Sequence, residues 1–424
     1  MKRLNFIYNF VLELFYVAMS LLGKVNHKAY LFTSGRKGLI KKINAEIDHS
    51  ADIIWVHCAS VGEFEQGRPL IEQYRKEHPD KKILITFFSP SGYELRKNYS
   101  QADWVYYLPI DTKRNAVAFL DAVKPSMALF IKYEYWYNYL QELKRRNIPT
   151  YVVSAIFIPG QRFFKWYGVI FRKMLKCFSH IFVQDERSKT LLKSIGIENV
   201  TVSGDTRFDR VKAIVQSGST IPIIEFFKGD SLCWVAGSTW PADERLIASV
   251  MADLPPHKLI IAPHEVDGKH IATLLDMFAG CRVVKYSEVI GKENDPKTKL
   301  LLRESKVMII DTVGILSSVY RYGLFAYIGG GFGTGIHNIL EAATYGLPVI
   351  FGPKYTRFKE AVDLVSLGGA KSITGSGELA ESCRLYLEDP VIRKTNGRIC
   401  LDYIDRNVGA TRKVLDGIYN LNRI

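Results

Sequence analysis

The sequence has no C-x-x-C pair, no Gly-Lys-Ser/Thr ending to a phosphate loop, no G-x-S-x-G turn and no D-x-D carboxylate pair. Each absence excludes a chemistry. The six cysteines scattered over 424 residues (Cys58, Cys177, Cys233, Cys281, Cys383, Cys400) build neither a zinc site nor a disulfide framework. They fit a reducing compartment. Without the Walker ending the chain is not a P-loop NTPase. Without the nucleophile elbow it is not a serine hydrolase of the α/β type. No His/Asp cluster has metal-ligand spacing, so neither a metal nor a cofactor is expected. Low-complexity tracts are also missing, and disorder is not the default.

A length of 424 residues with 47% hydrophobic and 12% aromatic content suits two domains. The net charge of +14 is unevenly spread. Residues 1–210 carry 32 Lys+Arg against 20 Asp+Glu, while residues 211–424 carry 25 against 23. The front half therefore faces something anionic. Lys2 and Arg3 precede an apolar stretch from Leu4 to Leu22, and Lys24 and Lys28 follow it. Its polar residues Asn5, Asn9, Glu13, Tyr16 and Ser20 fall on one helical stripe. Glu13 at the centre of a bilayer would cost about 2–3 kcal/mol. The stretch reads as a helix in the membrane interface or a marginal span, held by anionic headgroups on the cytoplasmic side.

Beyond it, apolar runs alternate with amphipathic patterns. Strands are expected at 53–58, 82–87, 104–108, 128–131, 150–154, 181–183 and 200–202. A second series follows at 233–236, 258–262, 283–286, 307–310, 325–328 and 349–351. This is an α/β chain with mostly parallel sheets. The expected layout is an anchor at 1–24, a domain at 25–211, a linker at 212–229 and a domain at 230–424. Two such domains facing each other place ligands in a cleft at the strand ends.

Several strand ends carry chemistry. Tyr327-Ile-Gly-Gly-Gly-Phe-Gly-Thr-Gly-Ile-His-Asn338 joins a strand to a glycine-rich turn and then to a helix opening near His337 and carrying Glu341. Backbone N–H groups and a helix N-terminus there suit an anion, and Asn338 and Glu341 share a helix face. The alternative is a glycine turn serving tight packing. Ser60-Val-Gly62-Glu63 follows the first strand; Glu63 at a helix start is ionised easily and can act as a general base, or Ser60 and Glu63 form a capping box. Lys132-Tyr-Glu134-Tyr-Trp136 sets a second carboxylate among aromatics suited to a sugar face. Arg162, Lys165, Arg172 and Lys173 interleave with aromatics from 162 to 173. That suits headgroups or a phosphorylated lipid, with single-stranded nucleic acid as the competitor. Arg207 lies among Asp205, Asp209 and Arg210. Gly237-Ser238-Thr239, Pro263-His264 and Val313-Gly314-Ile315 end three further strands.

Taken in order, the N-terminal stretch, Gly35-Arg36-Lys-Gly38, Ser60-Val-Gly-Glu63, Glu134-Tyr-Trp136, Gly237-Ser-Thr239 and His337-Asn-x-Leu-Glu341 resemble the 3-deoxy-D-manno-octulosonic acid (Kdo) transferases of lipopolysaccharide synthesis. The resemblance covers nearly the whole chain. It implies a GT-B architecture of two Rossmann-like domains, CMP-Kdo as donor and a lipid A precursor as acceptor. It also implies a site at the cytoplasmic face of the inner membrane, with no nucleic acid as partner. It implies Glu63 as catalytic base, with Glu134 and Arg207 stabilising the transition state. Gly237, Ser238, Thr239, Pro263, His264, Val313, Gly314, Ile315, Gly335, Asn338, Ile339, Leu340 and Glu341 would form the donor side. Arg36, Ser60, Gly62, Arg162, Lys165, Arg172 and Lys173 would form the acceptor and membrane side. The family often has arginine where His264 stands, glutamate where Ile315 stands and lysine where Arg207 stands. Another GT-B glycosyltransferase, a sugar-nucleotide epimerase or a non-catalytic polyanion-binding protein are the rival readings.

Overall fold

The computed structural model describes residues 2–218 and 220–422, without the side chains of residues 2–6. Lys2, Arg3 and Asn5 of the expected anchor lie outside the described side chains, and Met1 and residues 423–424 lie outside the described residues. The chain forms two compact bodies: Met1–Arg210 with Val408–Ile424, and Val211–Asn407. The final helix, Ala410–Asn422, thus belongs to the first body although it follows the second in sequence. Its Val414, Leu415 and Ile418 are buried in one cluster with Ile54, Phe64 and Phe182.

The first body is built on seven strands: β1 (Ile53–Cys58), β2 (Lys82–Phe87), β3 (Trp104–Tyr107), β4 (Met127–Ile131), β5 (Thr150–Ala155), β6 (His180–Val183) and β7 (Val200–Val202). Their order is β3-β2-β1-β4-β5-β6-β7, with every pair parallel. The second body repeats the plan with β8 (Cys233–Thr239), β9 (Lys258–Pro263), β10 (Val283–Lys285), β11 (Val307–Ile309), β12 (Ala326–Ile328), β13 (Val349–Phe351) and β14 (Ala370–Ser372). Their order is β10-β11-β9-β8-β12-β13-β14, again all parallel. Strands such as β1, β4 and β5 are buried at every residue. Both faces are covered, and near-continuous apolar runs result. The chain reverses its direction of growth between β1 and β4 in the first sheet and between β8 and β12 in the second, where β11 is also inserted between β9 and β10. Such reversals open a crevice at the carboxyl ends of the strands.

The N-terminal helix, Lys2–Leu22, is amphipathic in an inverted sense. Part of its polar stripe faces the protein, while Glu13 and Ser20 are exposed: the Tyr8 hydroxyl donates to Asp111 Oδ2 at 2.7 Å, and Asn9 Oδ1 accepts from the Lys113 N–H at 2.9 Å and from Asn138 Nδ2 at 3.2 Å. Many of its apolar side chains face outward; Val11 and Leu14 are more than half exposed. No helix of the described residues is long and apolar enough to cross a membrane, which leaves the spanning alternative for residues 4–22 without support.

Asp111 is the latch of this helix. It is fully buried, and Oδ2 also accepts the Asn138 N–H at 3.1 Å while Oδ1 accepts the Tyr139 N–H at 3.0 Å. Burial raises its carboxyl to about 7, against the lowering effect of those hydrogen bonds. The same burial, and next the Asp111 charge, push the Tyr8 phenol well above its ordinary value. The folded pKa of Asp111 lies above the unfolded carboxyl value of about 3.9. Its contribution to stability is therefore full below about pH 4 and is lost as pH rises through about 7. Asp111→Asn should flatten that decline, read as urea midpoints between about pH 5 and pH 8. Equal slopes in the two proteins would contradict the assignment.

Candidate active site

In the first body the crevice lies at the carboxyl ends of β1 and β4. After β1 the chain turns at Ser60 and enters the helix Val61–Glu77, whose Gly67 lets it settle close to β4: a Cβ there would stand 3.0 Å from Ile131 Cγ1. Glu63 is in the first turn. The capping-box alternative is absent, since Ser60 makes no side-chain cap to the backbone and its hydroxyl donates to the Glu63 carboxylate. Glu63 has no ion-pair partner among the described residues, whereas its neighbours are neutralised. Glu65 accepts from Arg96 at 2.9 Å, and Glu72 from Arg68 at 2.7 Å and Tyr99 at 3.1 Å. An unpaired carboxylate at a helix N-terminus is ready to act as a base.

After β4 comes Lys132, in the left-handed region at φ 68°; Ser154, near the end of β5, has φ 56°. Non-glycine residues adopt this geometry at a cost, and such strain gathers at functional sites. The turn after Lys132 presents Tyr133 and Glu134. Burial pushes the Tyr133 phenol up; Arg207 acts against this, and the charges of Glu63, Asp205 and Asp185 add to it. Glu63 and Arg207 therefore share one neighbourhood around Tyr133. Asp205 fixes Arg207, accepting from Nε at 2.8 Å and from the backbone N–H at 2.9 Å.

Glu134 is buried, and its Oε2 accepts Trp136 Nε1–H at 2.7 Å and lies 3.0 Å from His57 Nε2. It also lines a cavity of about 550 Å³ with Tyr8, Tyr133, Tyr135, Trp136, Arg162, Phe163 and Phe171. Arg162 lies 5.6 Å from the Phe171 ring centre. Lys165 and Lys173 are exposed, and Arg172 donates to the Phe163 and Lys165 carbonyls at 2.9 Å, holding that segment in shape. Arg36 is not presented to solvent. It is buried and donates to the carbonyls of Phe32, Phe88 and Leu108 at 2.7–2.8 Å. Gly62 is exposed beside Ser60.

In the second body the sheet order sets the ends of β11, β9, β8 and β12 side by side, and with them Val313-Gly314-Ile315, Pro263-His264, Gly237-Ser238-Thr239 and the glycine loop. Ser238 is again a strained non-glycine residue, at φ 52°. Thr239 does not cap the next helix; it donates to Glu244 Oε1 at 3.0 Å. Glycine is required at 237, where a Cβ would meet the Tyr320 hydroxyl at 1.9 Å, and at 329, where it would meet the Ser238 carbonyl oxygen at 2.2 Å. The loop closes on itself: the N–H groups of Gly333 and Gly335 donate to the Gly330 carbonyl, and that of His337 to the Gly329 carbonyl. The helix thus opens at Leu340, not near His337, and runs only to Ala343. Asn338 therefore precedes the helix and does not share a face of it with Glu341; its Nδ2 donates to Glu341 Oε1 at 3.1 Å. Ile339 and Leu340 point into the core and can meet a ligand only through their backbone.

Residues not singled out from the sequence build much of this site. Asp243, 1% exposed, accepts the Gly330 N–H and the Trp240 N–H at 2.9 Å and the Tyr327 hydroxyl at 2.7 Å, tying loop to helix. Lys354 donates to the Gly333 carbonyl at 2.8 Å and Arg357 to that of Thr334, so two cations flank the loop. Trp240, His264 and His337 form a stack with ring centres 4.7 and 4.4 Å apart. Burial, and secondarily His264, lower the His337 imidazole to about 4. His337 is thus neutral at pH 7, and its Nε2 accepts Trp240 Nε1–H at 2.9 Å.

Residues 33–210 match the family described as 3-deoxy-D-manno-octulosonic-acid transferase (kdotransferase). The chain is similar to the 3-deoxy-D-manno-octulosonic acid transferase of Rickettsia bellii, 27% identical over 86% of each chain. It is similarly related to that of Haemophilus influenzae, 26% identical over 86% of each. Among solved structures, the fold is similar to a UDP-GlcNAc 2-epimerase from Neisseria meningitidis, with TM-score 0.62 and 17% identity over 87% of this chain and 99% of that one. Acinetobacter baumannii MurG is a further neighbour in fold, with TM-score 0.52 and 11% identity over 88% of this chain and 100% of that one. These neighbours establish a GT-B-like pair of parallel-sheet domains. Residues 33–210 thus carry the domain of the Kdo transferase family, and over most of its length the chain is related to glycosyltransferase enzymes of that family.

Proposed function

We propose that this chain moves Kdo from CMP-Kdo to the 6-hydroxyl of a lipid A precursor, with inversion, at the cytoplasmic face of the inner membrane. The observation that carries the reading is the Glu63 carboxylate at the end of β1, at a helix N-terminus and without a cation partner among the described residues. Glu63 takes the proton of the acceptor hydroxyl as its oxygen bonds to the anomeric carbon of Kdo. The bond from that carbon to the phosphate oxygen breaks on the opposite face, and CMP leaves with the electron pair. Arg207 and Glu134 stabilise the charge developing on the sugar. In the second body, Lys354 and Arg357 beside the glycine loop supply positive charge for the departing phosphate. The test is direct: purified protein, CMP-Kdo and a lipid A precursor are incubated and the lipid is weighed. A mass gain of one or more Kdo units supports the reading; transfer only from a UDP-sugar, or no transfer from any donor, sinks it.

The membrane side of the reading rests on the outward apolar face of the N-terminal helix, the exposed Trp166 and Tyr167, and the exposed Lys24, Lys28, Lys165 and Lys173. Burying one such apolar side chain is worth about 1.5–3 kcal/mol. The double variant Val11→Glu, Leu14→Glu should therefore bind anionic vesicles at least about tenfold more weakly. Unchanged co-sedimentation would remove the helix from the membrane contact.

A further inference from the structure

We infer that His57 and Thr86 are positioning residues that hold Glu134 with one oxygen turned to the cavity, through a chain of hydrogen bonds running in one direction across β2, β1 and β4. The inference rests on the reading of Glu134 as part of the reacting site. His57 and Thr86 are completely buried on neighbouring strands. Trp55 Nε1–H donates to Thr86 Oγ1 at 2.8 Å. With one of its two lone pairs so occupied, the hydroxyl can give its own proton to His57 Nδ1, also at 2.8 Å. A ring that accepts at Nδ1 carries its proton on Nε2, and Nε2 lies 3.0 Å from Glu134 Oε2. Trp136 Nε1–H reaches the same oxygen at 2.7 Å. Oε2 is thus held by two N–H donors, and Oε1, which has no protein partner among the described residues, is left for the cavity that Glu134 lines. Bonds aligned in this way polarise one another.

The opposite tautomer has two points in its favour: the Thr86 carbonyl lies 3.1 Å from Nδ1 and would accept a proton there, and Trp136 Nε1–H lies 3.0 Å from Nε2 and would donate to its lone pair. It would also set that lone pair 3.0 Å from Glu134 Oε2 and leave Trp136 as the N–H donor to that oxygen. The two arrangements therefore differ in how many N–H donors hold Glu134 Oε2, and the Thr86 hydroxyl is the group that favours the first. Neither His57 nor Thr86 lines the cavity. Each acts through Glu134 and not on a substrate.

The test is the nitrogen-15 NMR spectrum of His57 in the full-length protein without substrates, together with steady-state transfer by Thr86→Val and Thr86→Ser. A neutral ring protonated at Nε2 is expected in the wild type and in T86S. In T86V the Nδ1 side keeps only a carbonyl acceptor, so the ring moves to the Nδ1–H or doubly protonated form. The turnover number then falls roughly 10–100-fold, as for other groups that orient a reacting side chain, while KM changes less than about twofold and T86S keeps the wild-type rate. A wild-type ring protonated at Nδ1, or an unchanged T86V spectrum, overturns the inference. So does full turnover in T86V despite a changed spectrum. The spectrum needs no substrate, so it tests the hydrogen-bond chain even if the protein transfers no Kdo. If T86V does not fold, the wild-type and T86S spectra still decide.

Discussion

Glu63→Gln should lower the turnover of Kdo transfer by about 10³-fold and leave CMP affinity within about twofold of the wild type. Glutamine has the shape of glutamate and can still accept the Ser60 hydroxyl proton, so the turn after β1 is kept. What is lost is the site that takes a proton. The effect should be large because no neighbour replaces it: Glu65 and Glu72 are tied to Arg96 and Arg68. Conversion of either to glutamine should cost far less. The residues proposed to contact CMP belong to the other body, with a core of its own, and calorimetry with CMP should show their independence. Substantial transfer by the pure E63Q protein would refute the role of Glu63 as base.

Gly329→Ala should destabilise the second body by about 3 kcal/mol or more and abolish CMP binding, whereas Gly333→Ala should stay within about 0.5 kcal/mol of the wild type. The two glycines sit four residues apart in one loop and serve different ends. A methyl at 329 would lie 2.2 Å from the Ser238 carbonyl oxygen and 2.6 Å from Thr239 Cα. These are backbone atoms of β8, and they yield only if β8 and β12 part at the proposed donor side. A methyl at 333 meets nothing closer than the Gly330 carbonyl oxygen at 3.6 Å. Urea unfolding of the two variants measures the contrast, and equal midpoints would contradict it.

The strands were legible because parallel strands covered on both faces are written as unbroken apolar runs. β1, β2, β7 and β13 coincide with the runs expected for them, and the others differ by a few residues at their ends. β14 was not anticipated. It has three residues, and Lys371 and Ser372 are only half-buried, so no apolar run marks it. The helix start near His337 was misplaced because the loop's N–H groups turn back to Gly329 and Gly330 instead of opening a helix. A glycine-rich stretch does not declare such returns in advance. Glu63 and Glu134 could be found because each directly follows an apolar strand. His57 was hidden inside such a strand, with partners 29 and 77 residues away in sequence. Asp243 looked like an ordinary first-turn acid, and the glycine loop it clasps lies 87 residues further on.

The return of the last helix to the first body makes the second body a guest spliced into its host. The chain departs after Arg210 and comes home at Val408. A fragment stopped at Arg210 would expose the apolar bed that Val414, Leu415 and Ile418 cover. Dissecting this enzyme into halves therefore requires grafting residues 408–424 back onto the front piece, and only the inserted portion can be excised with a single pair of cuts.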